Sequence, residues 1–326
     1  MNPFHNDPSR TVASIHEGAL LHHIRTWLGD SAPPSPHGMG DDVAVLPARS
    51  DPANLITVDT LVYQRHFDES LAPAEAGAKL LKRNLSDLAA MGGTPLDAVT
   101  ALFLPSNTRL DWLECFTRGL AACAVEWGVA VAGGDLTETD DCLGAALTLT
   151  GHAPDPLLRT GSVPGDRIWV TGALGGSIFG GHARFTPRLR EGWFLTEWRP
   201  WLHAVIDLSD GLGKDLPAIL PSGAAARINL DAIPISPDAH RRARSSGRPP
   251  LHHAFTDGED YELLFTTDRE LDPDTFKKAW RTRFPDLAID CIGEITAGES
   301  TGAMLNAETG EPLEGLSGYE HFRGTP

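Results

Sequence analysis

The amino-acid sequence predicts an α+β protein built as two domains, and three observations lead there. Pairs of predicted strands are mixed with helices along the chain, which is the pattern of α+β layers. The length, 326 residues, is enough for two domains and a substantial core. Between His152 and Gly165, Pro and Gly accumulate and hydrophobic periodicity lapses. The domain boundary is therefore set there, giving residues 1–155 and 156–326.

The first domain opens with Ser14-Ile15-His16-Glu17, a capping-box signature. It predicts a helix through Ile15, Leu20, Ile24 and Leu28, closed by Gly29. A Pro-rich approach at 31–37 leads to Gly38-Met39-Gly40-Asp41-Asp42, and Val43 to Leu46 follow as a buried strand. Residues 55–59 form a second strand. Pro73 suits the first turn of a helix that runs through Lys79, Leu81, Leu85 and Leu88 to Gly92-Gly93. Residues 98–104 read as a strand and 110–127 as an amphipathic helix ended by Gly128. Two more strands follow, 129–132 running directly into Gly133-Gly134-Asp135, and 143–151.

The second domain restarts with a strand at 168–171. The loop after it, Gly172-Ala173-Leu174-Gly175-Gly176-Ser177, is neither a dinucleotide fingerprint nor a Walker A sequence. A buried strand is expected at 204–208, a short helix at 211–220 and a strand at 226–230. Residues 236–244 predict a helix with a basic end. A strand at 261–266, a helix at 272–283 and a strand at 289–292 complete the domain.

One pattern recurs across both domains. Aspartates stand against a predicted strand end, a glycine turn or an apolar helix face at Asp42, Asp59, Asp87, Asp135, Asp207 and Asp210. Strand alternation sends Asp41 and Asp42 to opposite faces, so only one of them aims at a given ligand. Converging carboxylates repel, so these residues are either dispersed over the surface or gathered by cations. Hard oxygen donors suit Mg²⁺, which typically takes one or two carboxylates plus substrate phosphates. Gly133-Gly134 would let the backbone approach a phosphate, and Arg159 is a candidate charge-assisted donor to one. His22-His23 and His252-His253 are adjacent pairs that do not face one way on a helix, and are assigned structural or surface roles.

The formal net charge of −17 argues against nucleic acid or an anionic membrane as partner. The four cysteines show no metal-type spacing, which fits a reducing cytoplasm. The first residues lack the apolar stretch of a signal peptide, and no run approaches the length of a membrane helix.

Taken in order, six segments resemble the thiamine-monophosphate kinase family. They are GMGDDVAVL, DTLV with HF three residues on (Asp59 to Phe67), RNLSDLAAMG, GGD, IDLSDGL and GEDYELLF. Order and spacing match along nearly the whole chain. IDLSDGL recurs across the aminoimidazole ribonucleotide synthetase superfamily, whereas NLSDLAAMG combined with GEDYEL is specific to the kinase.

The resemblance implies an N-terminal α/β domain whose strands form a barrel across a homodimer, and a C-terminal α+β domain. It implies ATP-dependent phosphorylation of thiamine monophosphate, with several Mg²⁺ ions. By motif position, Asp42, Thr57, Asp59, Asp87, Asp135, Asp207 and Asp210 resemble metal ligands. Gly134, Asp135, Arg159 and Ser209 resemble nucleotide contacts, and His66, Glu259 and Tyr319 contacts to thiamine phosphate.

The sequence departs from the family in places. Val58 and Leu136 stand where threonine is usual, and Tyr63-Gln64-Arg65 are bulkier than the usual residues before His66. The 172–187 region is shorter than in relatives and is expected to lack a helix. The rival readings are another ATP-using superfamily member and a non-catalytic Mg-nucleotide module. Selenophosphate synthetase is disfavoured, because no cysteine precedes Gly38.

Overall fold

The computed structural model describes residues 1–15, 17–34, 37, 50, 54–298 and 302–319. The strand expected at 43–46 and the Asp41-Asp42 pair lie outside the described residues. The chain divides into two units, Met1–Leu88 with Gly93–Pro154, and Ala89–Gly92 with Asp155–Pro326.

The first half of the chain runs α1 (Glu17–Leu28), β1 (Leu55–Val62), α2 (Pro73–Ala90), β2 (Thr94–Pro105), α3 (Leu110–Trp127), β3 (Ala130–Thr139) and β4 (Gly144–His152). The strands form one sheet in the order β1-β4-β2-β3, with only the β2–β3 pair parallel. Side-chain alternation gives this sheet two unlike faces. Leu61, Leu147, Leu149, Ala98 and Leu102 are buried on one. There Leu61, Leu102 and Leu104 meet Trp112, Leu113 and Phe116 of α3 around a small apolar cavity. The other face leaves Ile56 74% and Val58 60% exposed, with Val99 also exposed. Helices α2 and α3 cross at glycines: a Cβ on Gly77 would lie 1.9 Å from the Phe116 carbonyl oxygen, and one on Gly119 2.0 Å from that of Ala74.

The Ser14 hydroxyl donates to the Thr11 carbonyl inside a 3₁₀ turn, Val12–Ser14, ahead of α1. One local expectation is corrected here. The strand expected to stop at Ala132 continues to Thr139, because the parallel ladder to β2 carries on past the glycines. Asp135 is therefore a mid-strand residue.

The second half runs β5 (Arg167–Thr171), α4 (Gly181–Arg184), α5 (Leu189–Glu197), β6 (Leu202–Asp207), α6 (Leu212–Ala218), β7 (Ala224–Ile228), α7 (Pro237–Ser246), α8 (Pro250–Thr256), β8 (Leu263–Thr267), α9 (Pro273–Arg283), β9 (Ile289–Ala297) and β10 (Met304–Asn306). Its sheet has the order β10-β7-β9-β5-β8-β6 and is covered on both faces. Ile168, Val170, Leu264 and Ile292 pack with Leu212 and Leu216 of α6 and Phe255 of α8. Trp169 and Phe265, one residue out of phase, pack with Phe276 of α9, which meets Phe194 of α5.

The absence of a helix from 172–187 is overturned: a 3₁₀ turn at Ser177–Phe179 precedes the four-residue α4. No described helix is long and apolar enough to cross a membrane.

Candidate active site

In the first unit the site starts on the covered face of the sheet. Thr57 and Asp59 alternate inward from β1, and α2 lies against them. The Thr57 hydroxyl donates to Asp87 Oδ2. One helical turn before Asp87, Arg83 reaches back to β1, with its guanidinium 3.0 Å from Asp59 Oδ1 and 2.6 Å from the Thr60 carbonyl. Thr57, Asp59, Arg83 and Asp87 thus form one polar cluster at the edge of an otherwise apolar interface. Val58 points to the opposite, open face, so its departure from threonine leaves the side chains of this cluster untouched.

His66 follows β1 in a tight turn. Its Nδ1 accepts the Val62 N–H at 3.0 Å, which assigns the proton to Nε2 and makes that atom a donor. The fully buried Lys79 donates to the His66 carbonyl at 2.8 Å and pins the turn from below.

Asp135 belongs elsewhere within this unit. Asp59 sits in a cross-strand row with Leu147, Thr100 and Gly134, whereas Asp135 sits in the next row, with Ala101, Ala146 and Thr60. Adjacent rows face opposite ways, so Asp59 and Asp135 occupy opposite edges and opposite faces of the sheet. Three strand spacings, about 14 Å, separate those edges. Gly134 also has a local reason to be glycine: a Cβ there would lie 2.3 Å from the Thr100 carbonyl oxygen. Of the pair, Gly133 is the one with open space beside its Cα.

The second unit gathers five of the residues singled out from sequence, Asp207, Ser209, Asp210, Glu259 and Tyr319. Strand β6 ends at buried Asp207, and the chain turns through Ser209 and Asp210. The Ser209 carbonyl accepts the Glu259 N–H at 2.8 Å, and the Asp210 carbonyl accepts the Tyr319 N–H at 2.8 Å. Asp215 braces this turn, its Oδ2 accepting the N–H groups of Asp210 and Gly211 at 2.9 and 3.1 Å. Burial pushes the Asp215 carboxyl up to about 7. Lys214 lies 2.5 Å from Asp210 Oδ2. Arg159 is exposed on the loop next to β6; its neighbour Leu158 accepts the Val205 N–H at 2.8 Å.

Carboxylates cluster under Glu259. Asp260 is half-buried with its Oδ2 out of contact with solvent, and desolvation raises its carboxyl well above the usual range. Its Oδ1 accepts the Gly175 N–H at 2.9 Å. Glu262 is held by Arg188 through hydrogen bonds of 2.8 and 2.5 Å and accepts the Thr171 hydroxyl at 2.6 Å. Buried His253 bonds Asp257 Oδ1 at 2.8 Å and Ser246 Oγ at 2.7 Å, a packing role.

Among the described residues no three His, Cys, Asp or Glu side chains gather in the manner of a metal site. The donors at Thr57, Asp59, Asp87 and Asp210 are all oxygens, which is the chemistry Mg²⁺ takes. Asp59 and Asp210 are each paired with a cationic side chain, Arg83 and Lys214. Asp42 lies outside the described residues. Arg83, Lys214 and Asp215 were not singled out from the sequence, although each is within five residues of a chosen aspartate.

Residues 40–153 match the family model of the N-terminal domain of AIR synthase related proteins. The thiamine-monophosphate kinase of Rhodopirellula baltica is 40% identical over 237 residues, covering 70% of this chain and 75% of the relative. That of Salmonella typhimurium is 36% identical over 312 residues, covering 87% and 91%. The structure of AaThiL complexed with AMPPCP and TMP is 26% identical, with a TM-score of 0.68, covering 95% of this chain and 98% of that one. The chain belongs to the thiamine-monophosphate kinase family.

Proposed function

We propose that this protein is a Mg²⁺-dependent kinase that transfers the γ-phosphoryl group of ATP to thiamine monophosphate, giving thiamine diphosphate and ADP. The observation that carries the reading is the AaThiL complex, which pairs an ATP analogue with TMP, read here as thiamine monophosphate, on a chain of the same fold and length. The family's curated relatives bear the kinase name over most of their length.

The roles follow from the donors each residue offers. Thr57, Asp59 and Asp87, with Asp42, Asp135, Asp207 and Asp210, would hold several Mg²⁺ ions. Bound Mg²⁺ neutralises and aligns phosphates whose mutual repulsion is the chief barrier to transfer. Arg83 and Lys214 keep Asp59 and Asp210 charge-balanced before nucleotide arrives, and are then placed to turn toward phosphate oxygens. Gly134, Arg159 and Ser209 are assigned to the nucleotide. His66, through its Nε2–H, is assigned to the acceptor phosphate. Glu259 and Tyr319 are assigned to the cationic, aromatic half of thiamine.

The working unit is proposed to be a cytoplasmic homodimer. Exposed Ile56, Val58 and Val99 make an apolar sheet face of the kind that a second copy covers. Facing sheets would close into a barrel across the dimer.

The test is ADP release from ATP with and without thiamine monophosphate, in Mg²⁺. Release that depends on thiamine monophosphate is expected. Equal release in its absence, or none in its presence, would remove the assignment in favour of another superfamily activity or a non-catalytic module.

A further inference from the structure

Residues 177–187 form a strap over the 257–262 segment, anchored at both ends. At its start, the N–H groups of Gly175 and Gly176 donate to Asp260 Oδ1 and Asp257 Oδ2 at 2.9 and 3.0 Å. The Ser177 hydroxyl donates to the Gly258 carbonyl at 2.7 Å. At its end, Arg188 grips Glu262 through two hydrogen bonds. Three of the four carboxylates in the segment therefore serve the strap.

The fourth, Glu259, meets the strap's middle. His182 Nδ1 lies 4.0 Å from Glu259 Oε2. Phe185, three residues further and so on the same side of this short helical stretch, stacks on Tyr261 with ring centroids 4.0 Å apart and planes 19° apart. The Tyr261 hydroxyl donates to Glu259 Oε1 at 3.3 Å. Glu259 and Tyr261 both hold positive φ, 55° and 53°, a backbone that non-glycine residues adopt only when their surroundings impose it. Backbone bonds to the turn after β6 hold them there, the Glu259 and Tyr261 N–H groups donating to the Ser209 and Leu208 carbonyls at 2.8 Å.

We infer that His182 and Phe185 are specificity-determining residues, completing with Glu259 a face for a planar, positively charged heteroaromatic ring, with buried Tyr261 backing the Phe185 ring. A carboxylate beside an aromatic face is suited to a delocalised cation. The Glu259 carboxylate makes this face unsuited to a phosphate, so the anionic half of the ligand lies elsewhere. The inference rests on the kinase reading above and deepens it, since it names which part of the acceptor this chain's strap reads.

The experiment compares H182A, F185L and F185Y with the parental protein in steady-state kinetics. H182A and F185L should each raise the apparent KM for thiamine monophosphate about tenfold, with kcat and the KM for ATP changed by less than about twofold. F185Y, which keeps the ring, should stay near the parental values. An unchanged KM for thiamine monophosphate, or a parallel rise for ATP, overturns the inference. A second measurement needs no variant: acylation of His182 by diethyl pyrocarbonate, mapped by mass spectrometry. Thiamine and thiamine monophosphate should slow it, and ATP should not; protection by ATP alone, or none by thiamine, overturns the inference too. Absence of turnover in the parental protein would instead count against the kinase reading, which separates the two failures.

Discussion

Asp59 and Asp135 lie on opposite edge strands and opposite faces of the same four-stranded sheet. Two carboxylates so placed do not share one ion within a protomer, since each reaches only a few ångströms from its strand. If both serve one phosphate site, Asp135 comes from the partner subunit. Complementation tests this. D59N and D135N should each be inactive alone. Mixed after reversible dissociation, they should recover roughly a quarter of parental activity, because half the dimers are hybrids and each hybrid rebuilds one intact site. No recovery in verified hybrids would place both aspartates in the same protomer's chemistry.

The metal assignment predicts a sharp division between folding and turnover. Asp87→Asn keeps an oxygen able to accept the Thr57 hydroxyl, so the native fold should persist. The lost charge should lower kcat about a hundredfold or more, as removal of a charge-stabilising donor commonly does. Circular dichroism and Mg²⁺-dependent ADP release read the two effects. Full activity in excess chelator would end the Mg²⁺ reading.

Glu259 is predicted to serve the acceptor and not ATP. Its backbone is fixed by Ser209 and its carboxylate by Tyr261, so Glu259→Gln changes charge with little change of shape. The apparent KM for thiamine monophosphate should rise about tenfold and that for ATP should stay near the parental value. The reverse split would assign Glu259 to the nucleotide.

The residues differ in how readily the sequence disclosed them. Helix α3 was legible to the residue because its apolar period is regular and Gly128 adopts the left-handed conformation that ends it. Strand β3 was under-read. Its glycines suggested a stop, yet parallel pairing to β2 continues through them, and Gly134 is small because Thr100 lies beside it. The sheet order could not be read at all. It depends on which strands pair at long range, and it alone separates Asp59 from Asp135. The strap escaped notice for a similar reason: α4 is only four residues long, and Arg188 and Glu262 meet across 74 positions of sequence.

Asp260, whose Oδ2 is shut off from solvent, makes a prediction about pH. Desolvation raises its carboxyl well above the ordinary 3.8, so the folded chain holds a proton that the unfolded chain releases. The stabilisation is fully present below about pH 4 and is lost as pH rises through the raised folded value. The slope from this group is at most about 1.4 kcal/mol per pH unit. Asp260→Asn keeps an acceptor for the Gly175 N–H and removes the proton. Denaturation of the variant across pH 5 to pH 8 should therefore show less loss of stability with rising pH than the parental chain does. Identical profiles would mean that Asp260 is not held neutral.

The last prediction concerns the route of the phosphoryl group. Direct transfer to thiamine monophosphate is expected, with no phosphoenzyme. The acceptor phosphate is already an ionised oxygen nucleophile and needs no general base. Its difficulty is repulsion from the γ-phosphate, which charge neutralisation and in-line positioning relieve. A covalent route would need an activated side chain. Ser209 gives its carbonyl to the Glu259 N–H. His66 is the one serious candidate, and its geometry argues against it. Nδ1 is occupied by the Val62 N–H, so Nε2 carries the proton and acts as a donor, not as a nucleophile. Incubation with γ-labelled ATP without thiamine monophosphate, worked up under alkaline conditions that preserve phosphohistidine, should leave the protein unlabelled. Stoichiometric label on His66 that chases into thiamine diphosphate would replace direct transfer by a two-step mechanism and leave the substrate assignment standing.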